Sequence, residues 1–156
     1  MHNEGRKHWG LLCTMEGTET YHFRDRDVAA QPGTVLVIPK NEVYTIDLEG
    51  SRSVVYVIDF ELITPENMRP LLVHLPEKST IPAQFSEAER CWRSKKSGFT
   101  PDCMAYYYKI IAELLRLDQQ SSIRSTTGKF ILQWNIFMSI TPSRASGWHS
   151  FLKLPG

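Results

Sequence analysis

Apolar and polar positions alternate along the first sixty residues in short runs divided by turn residues. "HWGLLCTMEG" predicts a strand ending at Glu16-Gly17, "TETYHFRDRD" a second, and "VAAQPG" a short third that turns at Pro32-Gly33. "TVLVIPKN" is apolar at nearly every position, the pattern of a strand covered on both faces, whereas "EVYTIDLEG" and "SVVYVIDFEL" alternate. Six strands in about fifty residues predict a small antiparallel barrel or sandwich.

Beyond Pro65 the pattern changes. Pro65, Pro70, Pro76 and Pro82 permit short strands and a connector but no long helix. Ser86 with Glu89 reads as a capping box opening a helix "SEAERCWRSKKSG" that Gly98 closes. A second helix has Thr100 as N-cap, Pro101 at its first position and Asp102 in its first turn, and continues "CMAYYYKIIAELLRL". Its Cys103, Tyr107, Ile110, Ile111, Leu114 and Leu115 recur at intervals of three and four, one apolar stripe. Such a stripe packs a helix on its own barrel, or on a second copy of the chain. The chain thus divides into a barrel over 6–84, a helical segment over 85–118 and a tail over 119–156.

Composition narrows the function classes. At 156 residues, 42% apolar and 22% charged, the chain has the size and core of one ordinary domain. Its 18 Lys and Arg against 17 Asp and Glu lack the basic excess of a phosphate-backbone binder. No leader pattern opens "MHNEGRKHWG" and no apolar run is long enough to cross a bilayer, which predicts a cytoplasmic protein without a membrane partner. Cys13, Cys91 and Cys103 are odd in number and far apart, fitting neither a CxxC knuckle nor a disulfide framework, so reduced thiols are expected.

Candidate chemistry is sparse. His2, His8, His22, His74 and His149 show no metal-ligand spacing, and no GxSxG, phosphate loop, HExxH or GxGxxG occurs. Asp25 and Asp27 fall in a predicted turn, where carboxylates are solvated. The expectation is a protein that is not an enzyme, with no metal and no cofactor.

Gly33, Pro39, Asn41 and Tyr44 resemble the G-x5-P-x-G-x2-H segment of the cupin superfamily. In metal-dependent cupins the last position is a histidine ligand, and a tyrosine hydroxyl is a reluctant substitute for imidazole. A wider resemblance covers Arg6 to Leu117. "GLLCTMEGTETYHF", "QPGTVLVIPKNEVYTI", "SVVYVIDFEL", "AERCWRSKKSGFT" and "MAYYYKIIAELL" follow one another as in the sensing and dimerisation region of AraC/XylS-type transcriptional regulators. The resemblance implies a mainly β protein with C-terminal helices: a cupin-like barrel, of the double-stranded β-helix or jelly-roll kind, followed by two α-helices. It also implies a small-molecule effector, a sugar or related metabolite, and a homodimer paired through Tyr107, Ile110, Ile111, Leu114 and Leu115.

Aromatic rings with polar tips make good walls for a polyol, stacking on C–H groups while a hydroxyl bonds. Trp9, Tyr21, Phe23, Tyr44 and Tyr56, with His8 at the mouth, are therefore the expected ligand contacts. A small cupin enzyme of the sugar isomerase or epimerase type is the alternative, with Tyr44 or His22 moving a proton.

Regulators of this type continue into two helix-turn-helix units, through which alone such a protein reaches DNA. "STTGKFILQWNIFMSITPSRASGWHSFLKLPG" has no helical pattern. A one-nucleotide slip near Gly128 would account for it, because reading from one base earlier, with codons chosen where the code leaves them free, permits a "PAxxYIxxHY" helix followed by "LAxLSEAAG"; the alternative is a divergent natural tail that packs on the barrel. The expectation is a tail that is out of frame and poorly ordered, with the DNA-binding part absent.

Overall fold

The computed structural model describes residues 2–3, 5–61, 69–122 and 139–144, with side chains for 5–61 and 69–118. Its elements are β1 (His2–Asn3), β2 (Trp9–Phe23), β3 (Asp27–Ala30), β4 (Thr34–Ile38), β5 (Tyr44–Phe60), β6 (Leu71–His74), α1 (Ile81–Ser94), α2 (Phe99–Ser122) and β7 (Ser139–Arg144). They form one antiparallel half-barrel sheet followed by two helices, with β7 returning to the sheet.

Two long strands organise the sheet. β2 and β5 pair along their whole lengths, from Trp9↔Phe60 to Phe23↔Tyr44. The outer half of β2 takes β4 as its other neighbour and the inner half takes β3, while β4 carries β6 on its far edge. On β5, β1 pairs with the start and β7 with Val54–Asp59. The sequence signals at Glu16-Gly17 and Gly50 thus mark bends within continuous strands, where chain reversals were expected. Gly17 lies at φ 77° and the register shifts on either side of Glu16, so an irregular pairing takes up the turn residues and curls the sheet. A Cβ on Gly17 would stand 2.3 Å from the Arg52 carbonyl oxygen, which leaves room for glycine alone.

These irregularities also reverse the alternation. Leu12 faces the concave side at one end of β2, and Tyr21 and Phe23 face it at the other, together with Leu36, Ile38, Tyr44, Val55 and Val57. Leu11, Cys13, Val35 and Ile58 face the helices on the convex side. Each face therefore holds its own buried cluster, as the all-apolar "TVLVI" of β4 requires.

Helix α1 starts at Ile81, earlier than the Ser86 capping box indicates and four residues before the expected boundary at 85. Pro82 is accommodated in its first turn, where a missing N–H costs nothing. Glu89 sits mid-helix and pairs with Arg93. The helix stops at Ser94 with Lys95 left-handed at φ 49°, and Gly98 belongs to the link before α2. Glu113 of α2 caps α1 from outside. Its Oε1 accepts from Ser79 Oγ at 2.6 Å and from the Thr80 N–H at 3.1 Å.

Ile81, Phe85, Ala88 and Trp92 of α1 meet Cys103, Tyr107, Ile110 and Ile111 of α2 over the sheet. Tyr107 and Ile110 are 0% exposed, so the apolar stripe of α2 is spent on its own protomer. Leu114 and Leu115 are half-buried against the same cluster, and Tyr108 is 48% exposed. Among the described residues no helix is long and apolar enough to cross a membrane. The expectations for the tail fall largely outside the described residues; within them, Ser139–Arg144 forms β7.

Candidate functional site

The concave face is apolar at its walls and polar along one line. Tyr21, Phe23 and Tyr44 pack as a triangle of rings, with centroids 5.6 Å apart from Tyr21 to Tyr44 and from Phe23 to Tyr44, and 6.4 Å from Tyr21 to Phe23. They come together because Phe23 pairs with Tyr44 across the two long strands and Tyr21 lies two residues back on the same face. These rings fill the middle of the cup.

Below them lies a buried carboxylate. Glu19 is 6% exposed, accepts a hydrogen bond from the Tyr21 hydroxyl at 2.7 Å, and accepts another from Ser53 Oγ on the far strand. Burial, and then the negative charge of Glu19, hold the Tyr21 phenol well above its ordinary range, so it remains a donor.

Above them stands Arg6. Its Nη1 donates to the Tyr44 hydroxyl at 3.0 Å and its Nη2 pairs with Asp59, both charged groups being largely buried. Burial works against the guanidinium charge, but Tyr44 and Asp59 outweigh it and raise its pKa. The Asp59 carboxyl is raised by burial even though Arg6 pulls it down. Gly10 makes room for this pair, since a Cβ there would come within 2.7 Å of Arg6 Cζ. The segment before β2 is fixed in turn by the Asn41 N–H donating to the Arg6 carbonyl at 2.7 Å.

The six expected ligand contacts are therefore divided by the sheet. Tyr21, Phe23 and Tyr44 share the cup. Trp9 and Tyr56 lie on the convex side, Trp9 6.1 Å from Phe60 and Tyr56 against the helix cluster, because alternation in β2 and β5 places them opposite Leu12 and Val57. His8 sits at the rim, paired with Glu61, which Lys40 also approaches at 3.8 Å. His22 points away from the cup, between Asp27 at 2.8 Å and Asp47 at 3.1 Å. It borders a shallow outer depression of about 290 Å³ lined by His22, Phe23, Arg24, Val43, Tyr44 and Thr45.

Sequence reasoning missed Glu19, Ser53 and Asp59. One signal was present: Glu19, Tyr21 and Phe23 are spaced by two, so a strand that buries the rings buries the carboxylate too. Among the described residues no group of three His, Cys, Asp or Glu is placed to hold a metal ion, and the hydroxyl of Tyr44, at the cupin ligand position, accepts from Arg6.

A curled antiparallel sheet with a polar-lined concave face and two helices on its back has the build of a small-molecule receptor. The AraC-like ligand binding domain family matches residues 2–111, and the chain belongs to that family. No curated protein matches the chain. Membership points to a regulatory role served by a small-molecule effector.

Proposed function

We propose that the chain senses a small neutral polyol, such as a sugar, in the cup formed by Arg6, Glu19, Tyr21, Phe23, Tyr44 and Asp59, and that it does so without a metal. The observation that carries this reading is the buried Glu19, held by Tyr21 and Ser53 in an otherwise apolar wall. A buried carboxylate is costly, and a line of mixed donors and acceptors beside aromatic faces matches a ligand whose hydroxyls both donate and accept. Two carboxylates against one guanidinium disfavour an anionic metabolite.

Because the rings fill the cup, the effector enters by exchanging ring-on-ring contact for ring-on-sugar stacking. The displaced ring packing lies on β2 and β5, whose other faces bear Trp9, Ile58 and Phe60 against α1 and α2, so occupancy bears on the helices. Pairing of two protomers then uses what the core leaves of α2, namely Tyr108 with the outer sides of Leu114 and Leu115.

The test is calorimetric titration with a panel of pentoses, hexoses and their amino and acid derivatives. Saturable binding of a neutral member, lost in Glu19→Gln and Tyr44→Phe variants of unchanged circular dichroism, supports the reading. Binding confined to the acid derivatives, or indifferent to both substitutions, overturns it.

A further inference from the structure

The three cysteines are scattered in sequence, yet the fold brings two of them face to face at the corner between α1 and α2. The Cys91 thiol reaches across to the carbonyl of Phe99, one helical turn before Cys103, at 3.4 Å. The Cys103 thiol reaches back to the carbonyl of Ala88, one turn before Cys91, at 3.6 Å. These reciprocal contacts bring the two thiols to the same corner, each held at the turn of the helix that carries the other. The neighbourhood is otherwise apolar and aromatic, with Trp92 and Phe99 5.5 Å apart and the Lys95 ammonium 3.2 Å from the Trp92 ring centroid. Cys13 has no such partner; it is buried in the sheet beside Met15, with the sulfurs 3.8 Å apart.

The geometry points to Cys91 and Cys103 as a redox-active dithiol that closes to a disulfide stapling α1 to α2 under peroxide. Cys91 is half-buried and within reach of solvent, whereas Cys103 is 0% exposed, so the oxidant meets Cys91 first. The Cys91 sulfur attacks one peroxide oxygen, the O–O bond breaks, and Cys91 becomes a sulfenic acid as hydroxide leaves and is protonated to water. The Cys103 sulfur then attacks the sulfenic sulfur, the S–OH bond breaks, and a second water leaves with the Cys103 proton. Two thiols are oxidised and one hydrogen peroxide is reduced to two waters; an external dithiol reverses the change. Burial pushes the Cys103 thiol up to about 12, so it is held as the thiol and does not compete with Cys91 for the peroxide. The consequence is a covalent tie across the very corner through which the helices follow the sheet.

The test treats the full chain with hydrogen peroxide, then denatures, alkylates and digests it for mass mapping. The expected result is a peptide linking Cys91 to Cys103, lighter by about 2 Da than the sum of the reduced pair, with Cys13 alone still alkylated and all three recovered by dithiothreitol. A Cys103→Ser variant is expected to halt at the Cys91 sulfenic acid, trapped by dimedone. Should that variant fail to fold, the linked peptide of the unsubstituted chain still decides. Over-oxidation of Cys91 beside a free Cys103, a disulfide joining two copies through Cys91, or three equally alkylated cysteines would each overturn the proposal.

Discussion

Replacing Arg6 by leucine removes the cation from the upper end of the cup and leaves Asp59 buried without its ion-pair partner, with only the weaker influence of His8 to oppose its charge. Breaking a buried ion pair in this way costs about 3–5 kcal/mol. The two side chains are 13% and 17% exposed, so partial screening by solvent reduces the expected penalty to about 2–3 kcal/mol at neutral pH. At about 2–4 °C per kcal/mol for a domain of this size, the melting temperature falls by roughly 5–10 °C. The pH dependence has a definite sign. Burial already raises the Asp59 carboxyl, and loss of Arg6 raises it further, so the folded state holds a proton that the unfolded chain releases. Stability then drops as pH rises through that window, and the penalty shrinks as pH falls back through the carboxylate range. Differential scanning fluorimetry of Arg6→Leu, Asp59→Asn and the double variant across pH 4 to 8, roughly the span of the carboxylate titration, measures all three terms. The double variant, with no charge left to bury, is expected to recover more than half of the loss. A penalty below about 0.5 kcal/mol, equal at every pH, would refute the buried-pair account, because that is how an exposed pair behaves.

Three further predictions concern the frame around the cup. Gly17→Ala meets both a left-handed backbone and the Arg52 carbonyl, and is expected to cost about 2–3 kcal/mol in a denaturant titration, against about 1 kcal/mol for Gly33→Ala, which meets the left-handed backbone alone. Glu113→Gln weakens the cap that α2 supplies to α1 by about 1 kcal/mol; although burial alone would raise it, bonds from Ser79 and Thr80 bring the Glu113 pKa below its ordinary value, so that stability is present above the ordinary carboxylate range and is lost as pH falls through the lowered value. The His22 imidazole is raised first by its bond to Asp27 and then, against some desolvation, by Asp47, so its contribution is full below the ordinary histidine range and fades as pH rises through the raised value; Asp27→Asn should flatten that slope in a stability-versus-pH series.

How far the chain discloses itself depends on which physical signal each element used. The apolar stripe of α2 and the alternation of Tyr21 and Phe23 against His22 are local periodicities, and both reappear in the fold. The glycines at 17 and 50 were legible as breaks but not as bends, because the same residue serves a hairpin and an irregular pairing, and only the partner strand decides between them. The face of each aromatic ring beyond such a bend was then out of reach: Trp9 and Tyr56 carry the same signal as Tyr44 and lie on the other side of the sheet. Pro82 concealed the start of α1, since a proline reads equally as a breaker and as a first-turn residue. The contact of Cys91 with Cys103 is a product of the helix corner, which no spacing rule for cysteines describes.

The ring triangle of Tyr21, Phe23 and Tyr44 is where the account stands or falls, and aromatic-selective NMR can watch it directly. With tyrosine and phenylalanine ring protons assigned, titration of a binding polyol is predicted to shift Tyr21, Phe23 and Tyr44 together, and by more than Tyr106 and Tyr108 on α2. Saturation with the Tyr21 ring unmoved, and shifts confined to Phe23 and Tyr44, the two rings that also line the outer depression, would contradict it.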